Sequence, residues 1–330
     1  MESKTKKIVV TGGAGFIGSN LIEELNKNGY KNILIVDHMQ GIKGERKRNN
    51  LANREYADLI EADEFLSLIE SENERVKNID VIFHLGARTD TTEKDKEFLL
   101  KNNTEYSKKL YNFSLKNNCQ FIYASSAATY GDGKQGYNDK ERNLQPLNYY
   151  GYSKYLFDEW VLDNQKKTRQ WVGLKFFNVY GPNEYHKDFM ASVILHGFFE
   201  IEKEGKIKLF KSYKKEYPDG YQKRDFIYVK DVVKILLFFF HHERISGIFN
   251  VGTGTARTFL DLANALFRAI NKKPNIQFID MPEELKKKYQ YFTQADMTSL
   301  EMVGYREKFI TLEEGVSNYA KSYLQRQKPL

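Results

Sequence analysis

The chain has one cysteine, Cys119, so no intrachain disulfide can staple it and a reducing compartment is expected. Its six histidines are scattered without metal-ligand spacing, and no metal is expected. Long hydrophobic runs are also missing. The longest apolar stretch, residues 232–240, contains Lys234 and is far too short to span a bilayer, which argues against membrane insertion. The N-terminus runs polar and basic into the first apolar segment with no secretory h-region, so a cytoplasmic location is expected. No internal repeat and no low-complexity linker is visible. Dense charge is scarce as well. Net charge is +7 and the pI about 9.0, yet only residues 43–48 and 286–288 form basic runs. That argues against a nucleic-acid partner and for a solvated basic surface with some local attraction for a diphosphate.

What is present points to an α/β enzyme. The 330 residues are enough for a large core, as one α/β domain or as one domain with a smaller companion. Ile8, Val9 and Val10 read as a buried strand, followed by glycines at 12, 15 and 18 and a helical pattern to about residue 28. Gly12 permits the tight turn, Gly15 lets backbone approach a pyrophosphate, and Gly18 lets helix and strand pack closely. The helix N-terminus then offers N–H groups to phosphates. A second strand ends in Asp37, where an acid meets an adenosine ribose.

Strands are expected at 7–11, 32–36, 55–59, 80–84, 120–125 and 172–177, and helices at 16–28, 63–75, 93–117 and 149–167. The fold class is α/β, a Rossmann-type doubly wound parallel sheet with a smaller C-terminal α/β substrate domain. Strands near 224–229 and 247–251 are expected to return to the main sheet. Residues 1–182 and 224–254 would bind the dinucleotide, and 183–223 with 255–330 would form a substrate-binding cap.

Tyr150 and Lys154 lie four apart in a segment preceded by Pro146 and Asn148, good helix-start residues. An ammonium beside a phenol favours phenolate, so Tyr150 can exchange a proton with a substrate hydroxyl while Lys154 holds ribose hydroxyls. Upstream, Ser126 and Thr129 follow a strand end and are candidates to orient the reacting oxygen.

Together, Gly12-Gly-Ala-Gly-Phe-Ile-Gly18, His84-Leu-Gly-Ala87, Tyr123-Ala-Ser-Ser126 and the Tyr150/Lys154 pair resemble the extended short-chain dehydrogenases/reductases. A closer resemblance is to the ADP-L-glycero-D-manno-heptose 6-epimerase family. It rests on Thr91-Thr-Glu93, the run from Tyr123 to Gly131, Pro146-Leu-Asn148, Phe177-Asn-Val-Tyr-Gly-Pro182, His186-Lys187, Met190-Ala-Ser-Val193, Lys223-Arg-Asp-Phe226 and Phe292-Thr-Gln-Ala-Asp296.

The resemblance implies interconversion of the D-glycero and L-glycero heptoses attached to ADP, for lipopolysaccharide inner core assembly, with bound NADP. It implies catalytic roles for Tyr150, Lys154, Ser126 and a second base, Lys187. It implies cofactor contacts at Gly12, Gly15, Phe16, Ile17, Gly18, Asp37, His38, Lys43, Leu85, Gly86, Ala87, Asn102, Lys154, Val179 and Lys187. Substrate contacts fall at Asn178, Phe189, His196, Phe210, Lys211, Ser212, Tyr213, Arg224 and Tyr289. Phe189, Lys211 and Tyr213 depart from the family's pattern, and an insertion follows at 213–220. NAD remains an alternative cofactor, because Asp37 accepts from a ribose 2′-OH and repels a 2′-phosphate, whereas Lys43, Arg46 and Lys47 attract one. A homopentamer is implied, although many superfamily relatives are dimers.

Two rivals remain. Another nucleotide-sugar epimerase or dehydratase shares these motifs, but Ala127-Ala128 after Ser126 lacks a dehydratase's acid/base pair. A non-catalytic dinucleotide-binding protein would lack the Tyr150/Lys154 pair.

Overall fold

The computed structural model describes residues 5–164, 169–286 and 289–326. Its strands, in chain order, are β1 (Ile8–Thr11), β2 (Ile33–Asp37), β3 (Asp58–Glu61), β4 (Val81–His84), β5 (Gln120–Ser126), β6 (Gln170–Phe176), β7 (Asn178–Tyr180), β8 (Ile207–Phe210), β9 (Lys223–Tyr228), β10 (Gly247–Val251), β11 (Ala256–Thr258) and β12 (Ile276–Ile279). The chain divides into two compact units. One comprises residues 1–131, 139–175 and 233–249, the other 132–138, 176–232 and 250–330.

In the first unit, β1, β2 and β4 are buried at every residue, as expected for strands covered by helices on both faces. The seven-stranded sheet has the order β3-β2-β1-β4-β5-β6-β10. β1 pairs in parallel with β2 through Ile8↔Ile33 and with β4 through Ile8↔Val81. The strand order reverses beside β1, so the ligand crevice of such a sheet lies at the C-terminal ends of β1 and β4. The sheet is pinned below by aromatic packing: Phe121 meets Tyr111 edge-on at 5.7 Å, and Tyr123 meets Phe157 at 4.8 Å.

The second unit is built differently. β9 lies between β11 and β7 in a three-stranded sheet, and β8 pairs in parallel with β12. The expected strand near 224–229 therefore exists but does not return to the main sheet; only β10 does. An apolar run announces a strand without saying which neighbour completes its ladder. Here fully buried Asp225 collects the N–H groups of Thr253, Gly254 and Ala295, which fastens β9 to the segments that carry them.

Two helices also differ from expectation. Residues 41–50 form a helix, although its basic sequence reads as a loop. Ile42 is its only large apolar residue and is 72% exposed, so no apolar periodicity marks it. The expected helix over 93–117 starts at Lys96 and contains a π-helical segment, Leu100–Glu105, before continuing as Tyr106–Lys116. The expected helix end at 165–167 lies outside the described residues. Among the described residues, no helix is long and apolar enough to cross a membrane.

Candidate active site

The glycine turn joins β1 to the helix Phe16–Lys27. Gly12 has φ +68°, and a Cβ there would meet Gly86 Cα and N at 2.7 Å. A Cβ on Gly18 would sit 2.2 Å from Gly12 O. Both positions need glycine on steric grounds. Gly15 caps the helix with no side-chain bond, and no acid occupies its first turn, so no carboxylate opposes a phosphate at the positive end of the helix. Thr11 Oγ1 lies 2.7 Å from His84 Nδ1 and accepts the Gly86 N–H at 3.1 Å, fixing the Leu85–Ala87 backbone beside the turn. Burial, aided by the Lys154 charge, lowers the His84 pKa to about 3 and keeps the ring neutral. This cradle fits a dinucleotide pyrophosphate.

At the adenosine end, Asp37 is 4% exposed and already engaged. It accepts the Ala14 N–H at 3.0 Å, the His38 N–H at 2.8 Å and the Lys47 ammonium at 2.6 Å. Lys47 thus offsets the charge that would repel a 2′-phosphate, and Lys43 lies exposed on the same helix. Asn102, in the π-helical segment, donates to Phe98 O at 2.7 Å.

The proton-transfer pair sits on the helix Tyr149–Asp163, whose N-cap Asn148 accepts the Gly151 N–H at 2.8 Å. Lys154 is 3% exposed and donates to Ala124 O at 3.0 Å, which ties it to the end of β5. Burial lowers its pKa to about 8, against the raising effect of Asp158. Tyr150 lies near the Ser126 side chain, which acts on its phenol. Its pKa is raised by burial, with Ser126 opposing and Asp158 reinforcing the shift. The lowered phenol pKa expected from the lysine is therefore not found: burial is the largest cause of the shift, and Lys154 is not among its causes. Thr129 is also turned away from any substrate. Fully buried, it donates to Ser126 O at 2.8 Å and accepts from Lys175 at 2.8 Å.

The remaining candidates belong to the second unit. Lys187 lies in the short helix Tyr185–Met190, where Asp188 adopts φ +49°. Burial lowers the Lys187 pKa, and the neighbouring Glu184 carboxylate opposes this. Fully buried Glu184 anchors the turn by accepting the Ser192 N–H at 2.7 Å and hydroxyl at 2.6 Å. Asn178 and Val179 stand on β7, with Asn178 exposed. Phe189 is 64% exposed and His196 is also exposed, on the helix Val193–Glu204.

Arg224 is 8% exposed, with its guanidinium 5.1 Å from the Tyr289 ring centroid and 5.6 Å from that of Phe259. It donates to Lys223 O at 2.9 Å, and among the described residues no carboxylate pairs with it. A desolvated guanidinium without an acid fits an anionic ligand. Phe210 ends β8, and the insertion follows it. There the Ser212 N–H bonds Asp219, while Tyr213 and Lys211 both bond Asp280, at 2.7 and 3.3 Å. Lys211 and Tyr213 are thus partly spent on holding the loop.

Sequence reasoning missed Glu184, Asp158 and Lys175. Asp158 had a signal, since it continues the spacing of four from Tyr150 and Lys154 along one helix face. Lys175, a charge within an apolar strand pattern, had one too.

The comparisons agree with this geometry. A sequence profile of the NAD dependent epimerase/dehydratase family matches residues 8–252. ADP-L-glycero-D-manno-heptose-6-epimerase from Fusobacterium nucleatum is 47% identical, covering 97% of this chain and 98% of that one. The same-named protein of Nitratidesulfovibrio vulgaris is 45% identical, covering 97% and 99%. The crystal structure of Helicobacter pylori ADP-L-glycero-D-manno-heptose-6-epimerase is similar with TM-score 0.80 and 29% identity, over 96% of each chain. The chain belongs to the NAD dependent epimerase/dehydratase family and, within it, to the ADP-L-glycero-D-manno-heptose-6-epimerases.

Proposed function

We propose that the protein is an isomerase that interconverts ADP-D-glycero-D-manno-heptose and ADP-L-glycero-D-manno-heptose by transient oxidation and re-reduction at C6, with NADP retained. The C6 hydrogen of the carbinol is not acidic, so proton abstraction alone cannot invert that centre. A nicotinamide dinucleotide held by the turn of Gly12, Gly15 and Gly18 and by Lys154 would supply hydride acceptance from this carbon and hydride return to the opposite face. The chain's own groups manage the proton on oxygen.

The observation that carries this reading is buried Lys154, fixed to Ala124 O at 3.0 Å and four residues from Tyr150 on the same helix face, with the Ser126 side chain acting on the phenol. Tyr150 serves one presentation of C6, donating to or accepting from its oxygen, and Lys154 supplies the positive charge that phenolate needs. Lys187, whose proton affinity is lowered by burial, serves the other presentation. Arg224, framed by Tyr289 and Phe259, holds the ADP diphosphate as a fork. Lys47 on Asp37 and exposed Lys43 support NADP over NAD.

The test is NMR of ADP-D-glycero-D-manno-heptose incubated with the purified holoprotein. L-glycero product should accumulate with no added cofactor. No product from protein that carries its dinucleotide would refute the assignment.

A further inference from the structure

Beneath the proton-transferring face of the Tyr149–Asp163 helix lies a buried ion pair. Asp158 and Lys175 meet at 2.8 Å with side chains 2% and 3% exposed. The hydroxyls of Tyr123 and Ser125 donate to Asp158 at 3.0 and 2.6 Å. Lys175 donates to Thr129 at 2.8 Å and lies 5.1 Å from the Tyr130 ring centroid. All of these partners belong to the last residues of β5 or to the turn that follows it. That same segment presents Ala124 O to Lys154 and Ser126 to Tyr150.

A buried ion pair is weak evidence of stabilisation, because apolar residues of similar volume often serve stability as well or better. What apolar residues cannot do is orient three hydroxyls at once. We propose that the Asp158–Lys175 pair is a positioning device that clamps the end of β5, so that Ser126 meets Tyr150 and Ala124 O meets Lys154, without either charged group touching the reacting atoms. This rests on Tyr150 exchanging the substrate proton. Asp158 also acts through space, raising the proton affinity of both Lys154 and Tyr150. The other groups facing this cluster are His84 from β4, Tyr123 from β5 and Tyr130 from the turn.

The experiment uses the full-length holoenzyme carrying Asp158→Leu and Lys175→Met together. Bound cofactor, kcat, KM and the pH dependence of kcat are measured. The expected variant keeps its cofactor and near-normal KM, but loses about tenfold or more in kcat, since slight misplacement of catalytic groups is costly. Its alkaline limb moves to lower pH, because Lys154 loses the raising influence of Asp158. Lys175→Arg, which keeps the charge and donors, restores most of kcat.

Wild-type kcat and an unmoved limb in a cofactor-loaded double variant overturn the proposal. If the double variant fails to fold, Thr129→Val decides. It removes one hydroxyl, and kcat should fall about fivefold, the worth of an ordinary hydrogen bond; wild-type kcat overturns the proposal. Tyr150→Phe run in parallel separates the two claims. An inactive Tyr150→Phe beside a fully active double variant refutes the clamp alone. Normal turnover by Tyr150→Phe refutes both.

Discussion

The two units hold their candidate residues in different ways. In the first, the groups nearest the strand ends are tied to backbone or to a buried polar partner. Lys154 reaches Ala124 O, Asp37 gathers Ala14, His38 and Lys47, and Asn148 caps the helix that carries Tyr150. In the second, the candidates sit on loops, on ring faces or in the open. Arg224 rests against Tyr289 and Phe259, Phe189 is 64% exposed, and Asn178 and His196 are exposed. Groups that repeat one chemical step are built in rigidly. Arg224, Phe189, Asn178 and His196 are left open to a ligand, whereas Lys211 and Tyr213 are partly spent on their loop.

If that contrast holds, substitutions in the first unit should act on kcat and those recognising substrate in the second on KM. Tyr150→Phe is the most severe test. It removes the proton partner while keeping the ring, and kcat should fall by about 10²–10⁴, the range of general acid–base catalysis, with cofactor retained. Steady-state rates and HPLC of the released dinucleotide check both parts. Lys187→Met sharpens the contrast, because it is the one second-unit residue assigned to chemistry. Epimerisation should fall by about 10² or more, while redox exchange with an aldehyde analogue presented to Tyr150 stays measurable. Arg224→Gln should instead raise KM by about 10–100-fold, the worth of a charged hydrogen bond, with little change in kcat.

These positions were not equally legible in the sequence. Gly12 and the Tyr150/Lys154 pair were, because each belongs to a motif whose spacing lies within one turn or one helix face. The pairing of Arg224 with Tyr289 was not implied by local spacing, since 65 residues separate them and only the fold brings them together. The Lys47–Asp37 contact was hidden for another reason. It depends on a helix over 41–50 that has no apolar stripe, so periodicity is silent there. The sheet was readable as strands, but the hydrophobicity of β9 did not say that its partners are β7 and β11.

Smaller effects refine the picture of the first unit. The Lys154 pKa is lowered to about 8, so this ammonium is fully protonated only below that value and is lost as pH rises through it. Wild-type kcat should therefore decline on the alkaline side of about pH 8. Lys154→Arg remains charged, and its residual activity should lack that limb. The smallest change is expected from Lys47→Met. Freeing the Asp37 charge should lower the ratio of NADP to NAD retained by about three- to tenfold, the scale of a partly screened ion pair. Competitive loading of both dinucleotides measures it. An unchanged ratio would mean that the 2′-position is read elsewhere.

The central claim is that C6 is inverted by internal oxidation and return. Substrate deuterated at C6 tests it most directly, with NMR and mass spectrometry of the product formed in ordinary water. The account predicts an inverted centre that keeps its deuterium. Loss of the label to solvent during inversion would contradict it, because only proton abstraction from carbon exchanges that position with water.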